Sequence, residues 1–290
     1  IQPVDIIGVD AAIIFSDILV VPEAMGMELV VEEGRGGPRF PSPIRSRTEI
    51  SRLEVPDPSA KLKFVLDAIR TARTGLKNRV PLIGFSGSPW TLAAYMVEGK
   101  GSKEFRHAKE LIFSSPKDMH TLLDKLAHSV AAYLNAQIEA GAQAVQLFDT
   151  WGGILGPDEF EEFSSRYIKQ VISLLRPNGA PIIVFCKDCW HALEKIADSG
   201  SDVVSLDWKT DIGKARDIVG SYVALQGNLD PTMLFASPER IEKGVKLILE
   251  KFGKGNGHIF NLGHGVLPDT PVENVRTFVD AVKKFSPQYH

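Results

Sequence analysis

The sequence predicts one α/β domain built on a parallel sheet, in the pattern of a (β/α)8 barrel of the TIM type. Seven short strand-like runs alternate with helical patterns along the chain, and such alternation builds right-handed βαβ units. Each run is apolar on both of its alternating positions, as parallel strands covered on two faces require. The length of 290 residues suits a barrel, which typically needs about 250. Seven repeats are one short of eight. Either a further strand precedes Ile1 or the barrel is distorted.

In order, the runs are Ala11 to Asp17, Pro81 to Gly87, Ala144 to Asp149, Pro181 to Lys187, Asp202 to Asp207, Tyr222 to Asn228 and His258 to His264. Between them, Met119, Leu122, Leu123, Leu126, Val130, Tyr133 and Leu134 recur at three- and four-residue spacing, a helix with one apolar face. Ser237-Pro238 offers an N-cap and a first-turn proline to the helix carrying Ile241, Val245, Ile248 and Leu249. The stretch 22–58 breaks the alternation. Its Gly34-Arg35-Gly36-Gly37-Pro38 run reads as a hairpin in a surface excursion, inside a single domain spanning 1–290.

Composition narrows the function. Hydrophobic content of 44% and charged content of 24% are ordinary for a globular protein. A net charge of −3 leaves no broad basic face for nucleic acid. No apolar run reaches the 18 or so residues that span a bilayer. The chain opens Ile1-Gln2-Pro3 with no signal-peptide pattern and reads as beginning inside a domain. A cytoplasmic location is expected, with a plastid left open. The two cysteines, Cys186 and Cys189, have Cys-x-x-Cys spacing but no second ligand pair, and read as buried free thiols rather than a redox or zinc site.

Nearly every strand run ends in polar or small residues: Ser16-Asp17, Ser86-Gly87-Ser88, Asp149-Thr150, Lys187-Asp188, Asp207, Gln226-Gly227-Asn228 and Gly263-His264. Barrel enzymes keep their sites at the carboxyl ends of the strands. The pentapeptide Asn261-Leu262-Gly263-His264-Gly265 is the sharpest of these signals. A His between two glycines has an uncrowded backbone from which to reach into a pocket. The plainer alternative is a loop His capping a turn.

Phe15-Ser16-Asp17-Ile18-Leu19, Gly84 to Leu92, Tyr95 to Gly99, Gln226 to Pro231 and Asn261 to Gly265 together resemble the uroporphyrinogen decarboxylase family, in the right order and over essentially the whole chain. The resemblance implies a distorted (β/α)8 barrel, usually a homodimer, acting on a small-molecule tetrapyrrole. It implies, further, removal of the four acetate carboxyl groups of uroporphyrinogen III to give coproporphyrinogen III without metal or cofactor. Carried over by position, Asp17 is the carboxylate that receives the pyrrole N–H groups. Tyr95 and His264 match polar residues near substrate carboxylates, and Thr150 falls where the family has a Ser or Thr hydroxyl. Phe15, Phe85 and Phe148 match an apolar cleft. Asp17, Tyr95 and His264 are thus the expected catalytic set. The plainer roles are a helix cap for Asp17 and core packing for Tyr95. Asp207 and Asp230 are expected to brace loops.

The chemistry suits this set. Loss of CO2 from a pyrrole acetate needs an electron sink, which a protonated pyrrole supplies, and a buried carboxylate stabilises the charge on the ring nitrogens. The family also carries an Arg-Gln-Ala-Gly-Arg segment upstream of the first strand seen here, and it is expected in the full protein. Two alternatives stand beside this reading. A zinc-dependent corrinoid or thiol methyltransferase on the same barrel would need a His-x-Cys pair, which this sequence lacks; a non-catalytic tetrapyrrole-binding protein would need no chemistry at all.

Overall fold

All seven runs become parallel strands of one sheet. The computed structural model describes residues 1–31, 37–176 and 178–289. In chain order its strands are β1 (Ala12–Ile13), β2 (Val30–Val31), β3 (Pro38–Arg39), β4 (Leu82–Gly87), β5 (Ala144–Asp149), β6 (Ile182–Cys186), β7 (Val203–Ser205), β8 (Ala224–Gln226) and β9 (His258–Ile259). β2 and β3 form a separate antiparallel hairpin, and the sheet runs β1-β4-β5-β6-β7-β8-β9. Sheet order thus follows chain order, the signature of a barrel rather than a doubly wound sheet.

The sheet curls. Gln146 on β5 and Gln226 on β8 lie three strands apart, which in a flat sheet is about 14 Å. Their side-chain amides nevertheless approach to 3.4 Å. Among the described residues the sheet holds seven strands rather than eight, and β1 does not pair with β9. The gap is bridged by other means. The helical turn Pro3–Ile7 packs on the helix Val272–Phe285. Arg276 Nη2 donates to the Ile6 carbonyl at 3.1 Å, Lys283 Nζ donates to the Gly8 carbonyl, and Lys283 pairs with Asp10 at 3.4 Å.

The predicted apolar stripe becomes the helix Pro116–Ala140, and all seven of its named residues are buried. Each such leucine contributes roughly 1.5–3 kcal/mol by leaving water. The same helix buries Gln137, whose amide accepts from Phe85 N at 2.9 Å and donates to Phe85 O at 2.8 Å. A side chain at Gly84 would meet Gln137 Oε1 at 2.5 Å, so glycine there lets the amide fix the β4 backbone. The helix Pro238–Phe252 begins where expected, but Ser237 makes no capping bond. Its hydroxyl is taken by Glu239, whose carboxyl it holds below the usual range.

The 22–58 stretch contains the expected hairpin, β2 with β3. Its Gly34-Arg35-Gly36 tip lies outside the described residues. The rest is not wholly superficial: Phe40, Ile44, Ile50 and Leu53 are buried in the main core. Lys125 Nζ donates to the carbonyls of Ile50 and Leu53 at 3.0 and 2.7 Å. No helix among the described residues is long and apolar enough to cross a membrane.

Candidate active site

Strand register decides which side chains face inward. Residues opposite one another in a parallel ladder point to the same face. The chain of partners runs Gly87↔Phe148, Phe148↔Phe185, Phe185↔Ser205 and Ser205↔Gln226, with Phe85 opposite Gln146. Because Gln146 and Gln226 meet across the curl, this face is the concave one. Phe85 and Phe148 are half-buried there. Their rings stand edge to face at 5.7 Å, and Phe148 meets Phe185 at 5.8 Å. The row ends at His264, whose ring lies 6.1 Å from Phe185 and 6.3 Å from Trp208. Such pairs add roughly 0.5–1.5 kcal/mol each beyond area burial, so the wall is preformed.

Phe15 is placed differently. Its side chain is 91% exposed on the edge-strand side of the sheet, following Ile13, itself 49% exposed, and it joins none of these rings.

Asp17 lies beyond β1, half-buried. Its Oδ1 accepts from Leu19 N at 2.8 Å, just ahead of the helix Val20–Ala24. Leu19 is itself the N-cap and that helix has no side-chain cap, so the bond closes an Asx-type turn ahead of the helix, and it uses one oxygen. The other has no protein hydrogen bond among the described residues. Flanking contacts hold the segment: the Ser16 hydroxyl bonds Tyr133, whose phenol burial pushes up to about 12, and Ile18 packs against Gly87.

Tyr95 projects from the helix Pro89–Glu98. Its ring is edge-on to Phe105 at 5.8 Å and to Trp151 at 6.3 Å. The hydroxyls of Tyr95 and of half-buried Thr150 have no hydrogen-bond partner among the described residues. No hydrogen bond there joins any two of Asp17, Tyr95, Thr150 and His264. What they share is position, each following the carboxyl end of a parallel strand.

Asp149 organises this end, a role the sequence did not reveal. It is fully buried. Its Oδ1 accepts from Ser88 Oγ at 2.5 Å and Thr91 Oγ1 at 2.7 Å, and its Oδ2 from Ser164 Oγ at 2.5 Å. Burial pushes the carboxyl pKa up, against the three hydroxyls that pull it down. Ser88 also caps the Tyr95 helix through Thr91 N at 3.1 Å, and Thr91 Oγ1 accepts from Trp151 N at 3.2 Å. One carboxylate thereby ties β5, the Tyr95 helix and the Thr150-Trp151 turn together.

The two glycines beside His264 do different jobs. A Cβ on Gly263 would sit 2.4 Å from Trp208 N, whereas at Gly265 it would meet nothing within 4 Å. Close backbone approach, not a special turn, makes Gly263 necessary. The imidazole is accessible at its rim but packed against Phe185 and Trp208. Burial lowers its pKa below the ordinary 6.5, the Lys187 charge lowers it further, and Asp207 opposes both. The neutral imidazole therefore dominates at neutral pH, which favours the base over the cation.

Asp207 and Asp230 brace loops as expected. Asp207 accepts from the backbone of Asp188 and Lys209, and Asp230 from Thr232. Asn228 Nδ2 donates to the carbonyls of Asp207 and Thr210, both at 2.7 Å. Cys186 and Cys189 are free and buried, and burial raises the Cys186 thiol pKa well above its usual value. Among the described residues no group of three His, Cys, Asp or Glu could hold a metal ion. A shallow cleft of about 430 Å3 lies between Ile138, Gln143 and Asn178, away from the carboxyl ends of the strands, and a separate pocket of about 150 Å3 lies between Trp208, Asn228, Met233 and Ile248. Neither is lined by Asp17, Tyr95, Thr150 or His264, and the concave mouth is the candidate on its position at the carboxyl ends of the strands.

Two residues of this mouth escaped the sequence reading as ligand-facing groups, Phe185 and Lys187. Register supplies the missing signal for Phe185, which continues the inward alternation from Ile183, and Lys187 is placed by its approach to the Trp151 ring just after β6.

Comparisons with known proteins bear on the family and the fold. The family model described as uroporphyrinogen decarboxylase (URO-D) matches residues 1–285. Uroporphyrinogen decarboxylase from Pseudoalteromonas atlantica is 54% identical over all of this chain and 82% of its own length. The protein of the same name from Escherichia coli O157:H7 is 53% identical with the same coverage. Among solved structures, a methyltransferase from Methanosarcina mazei superposes with a TM-score of 0.84 at 24% identity, covering 98% of this chain and 83% of its own. That likeness speaks to the fold alone.

Proposed function

Because this chain belongs to the uroporphyrinogen decarboxylase family, we propose that it removes the acetate carboxyl groups of uroporphyrinogen III to give coproporphyrinogen III. The observation that carries the residue roles is Asp17, with one oxygen committed to Leu19 N and the other unclaimed among the described residues. The free oxygen accepts the pyrrole N–H groups at the centre of the bowl-shaped macrocycle. The rings of Phe85 and Phe148 support one side of that bowl. Their low polarity strengthens the Asp17 interaction.

In each round a proton adds to the ring carbon next to the acetate-bearing carbon, leaving a cationic, iminium-like pyrrole. The bond to the carboxylate then breaks, its electron pair flows into the ring, and CO2 departs. The exocyclic methylene takes a proton to become a methyl group as the ring carbon releases one. Asp17 stabilises the cationic stage, where electrostatic preorganisation acts most strongly. Tyr95 and Thr150 offer free hydroxyls to the acetate and propionate arms. His264, neutral at the rim, positions an arm by hydrogen bonding and is not an obligatory proton donor. Phe15 is an apolar flank at the open side of the mouth. A homodimer is part of the proposal and is checked by light scattering.

Incubation of the full-length protein with uroporphyrinogen III, followed by oxidation and chromatography, tests this reading. The four-carboxylate porphyrin is the expected end product. Absence of any decarboxylated species from folded protein would overturn the reading in favour of a binding protein. The methyltransferase alternative has only shared fold behind it, since the chain lacks the His-x-Cys pair.

A further inference from the structure

Lys187 directly follows β6, two residues after the inward-facing Phe185. It is half-buried, and its ammonium lies 5.9 Å from the centre of the Trp151 ring. Neighbouring lysines are paired: Lys209 with Asp188 at 2.6 Å and Lys251 with Asp211 at 2.7 Å. Lys187 has no carboxylate partner among the described residues. A partly dehydrated cation left this way forfeits hydration that a ring face only partly replaces.

The backbone beneath it is tightly held. Lys187 N donates to Asp149 O at 3.1 Å, and its carbonyl accepts from Gly153 N at 3.1 Å and Cys189 Sγ at 3.2 Å. A Cβ at Gly153 would come within 2.6 Å of that carbonyl, so glycine allows the turn after β5 to close on Lys187. A fixed backbone with an unpaired cation is the arrangement of a preformed anion site.

We infer that Lys187 anchors one carboxylate of the substrate at the mouth, between Trp151 and His264. The inference rests on the functional reading above and deepens it. An eightfold anionic substrate supplies the counter-charge that the protein withholds. Two charged groups act on His264: Lys187 at the end of β6 lowers its proton affinity, and Asp207 at the end of β7 raises it. A carboxylate bound to Lys187 would cancel the first influence, so the imidazole gains proton affinity as the site fills. Lys187 is then a binding residue that also positions His264 electrically.

The test uses full-length protein with Lys187→Met and Lys187→Arg. A lost charge-assisted hydrogen bond corresponds to a KM for uroporphyrinogen roughly 10- to 100-fold higher in the Met variant. The Arg variant should recover most of that loss. The His264 ring protons, followed by NMR against pH, should titrate at higher pH in Lys187→Met and return towards wild type in Lys187→Arg; added coproporphyrinogen should raise the titration in wild type but not in Lys187→Met, which a lysine that binds no carboxylate would not produce. Should Lys187→Met fail to fold, Lys187→Gln serves in its place. An unchanged KM and an unmoved His264 titration, in folded protein whose wild type turns over uroporphyrinogen, overturn this inference alone. A wild type inactive on uroporphyrinogen overturns the functional reading and this inference with it.

Discussion

Replacing Gly263 by alanine asks one methyl group to report on the architecture of the mouth. The new Cβ would stand 2.4 Å from Trp208 N and 2.9 Å from the Asp207 carbonyl carbon. Both neighbours are backbone, so neither can swing aside as a side chain would. Ordinary contact begins near 3.4 Å, and the two loops must therefore part by about 1 Å, a shift within what overpacked sites absorb at a cost of roughly 1–3 kcal/mol. That displacement passes directly to His264. A misplacement of about 1 Å near a reacting group can cost 10²-fold in rate. Gly263→Ala should lower the melting temperature and cut turnover by about 10- to 100-fold. Gly265→Ala, with open space around it, should leave both close to wild type. Thermal melts and initial rates of CO2 release on the pair decide the matter. A Gly263→Ala protein that melts and turns over like wild type would refute the close-approach argument, as would equal damage from both substitutions.

Asp17→Asn should keep the fold, because the amide oxygen can still accept from Leu19 N, yet lose about 10² or more in kcat; full activity in the folded variant would remove Asp17 from the mechanism. His264→Asn should slow turnover without abolishing it, so that seven- to five-carboxylate porphyrins accumulate on chromatography, and complete inactivity would make the ring an essential acid or base. Since the folded pKa of His264 is lowered, the unfolded chain takes up this proton first. Its contribution to stability is present above the ordinary value of 6.5 and is lost as pH falls from there through the lowered folded value; unfolding titrations on His264→Asn should show a shallower loss there. Asp149→Ala strands three hydroxyls that donate to one buried carboxylate and should cost about 3 kcal/mol or more in denaturant unfolding. A loss below about 1 kcal/mol would mean the hydroxyls find other acceptors.

The seven strands were legible because a parallel strand buried on both faces has to be apolar throughout. Their lengths were not. The run Ala11 to Asp17 keeps only Ala12–Ile13 as strand, because its ladder has a partner on one side only. Register was equally hidden: Phe85 and Phe148 were recognised by resemblance, while Phe185, on the same inward face, carried no local mark. Asp149 looked like any polar strand end, since the hydroxyls that define it come from positions 88, 91 and 164. Gly263 and Gly265 looked alike because one is distinguished by a loop some 55 residues away in sequence, Trp208.

The ring of strands has a seam, and its position matters. Asp17 follows β1 and His264 follows β9, the two ends of the strand order, so the pair flanks a gap that no ladder crosses among the described residues. Elsewhere adjacent strands are locked by backbone hydrogen bonds and a dry core. Across the seam the ties include the Lys283–Asp10 pair and two donors reaching carbonyls, and exposed ion pairs contribute about 0–1 kcal/mol each. The separation of Asp17 and His264 is thus set across a joint held by side chains, including Ile7 and Val9 packed on the Phe278 cluster, rather than by a backbone ladder. A stiff macrocycle gripped by both would act as a clasp, bracing the ring from within. Ionic strength, by loosening the joint from outside, would then alter the grip on a ligand it never touches.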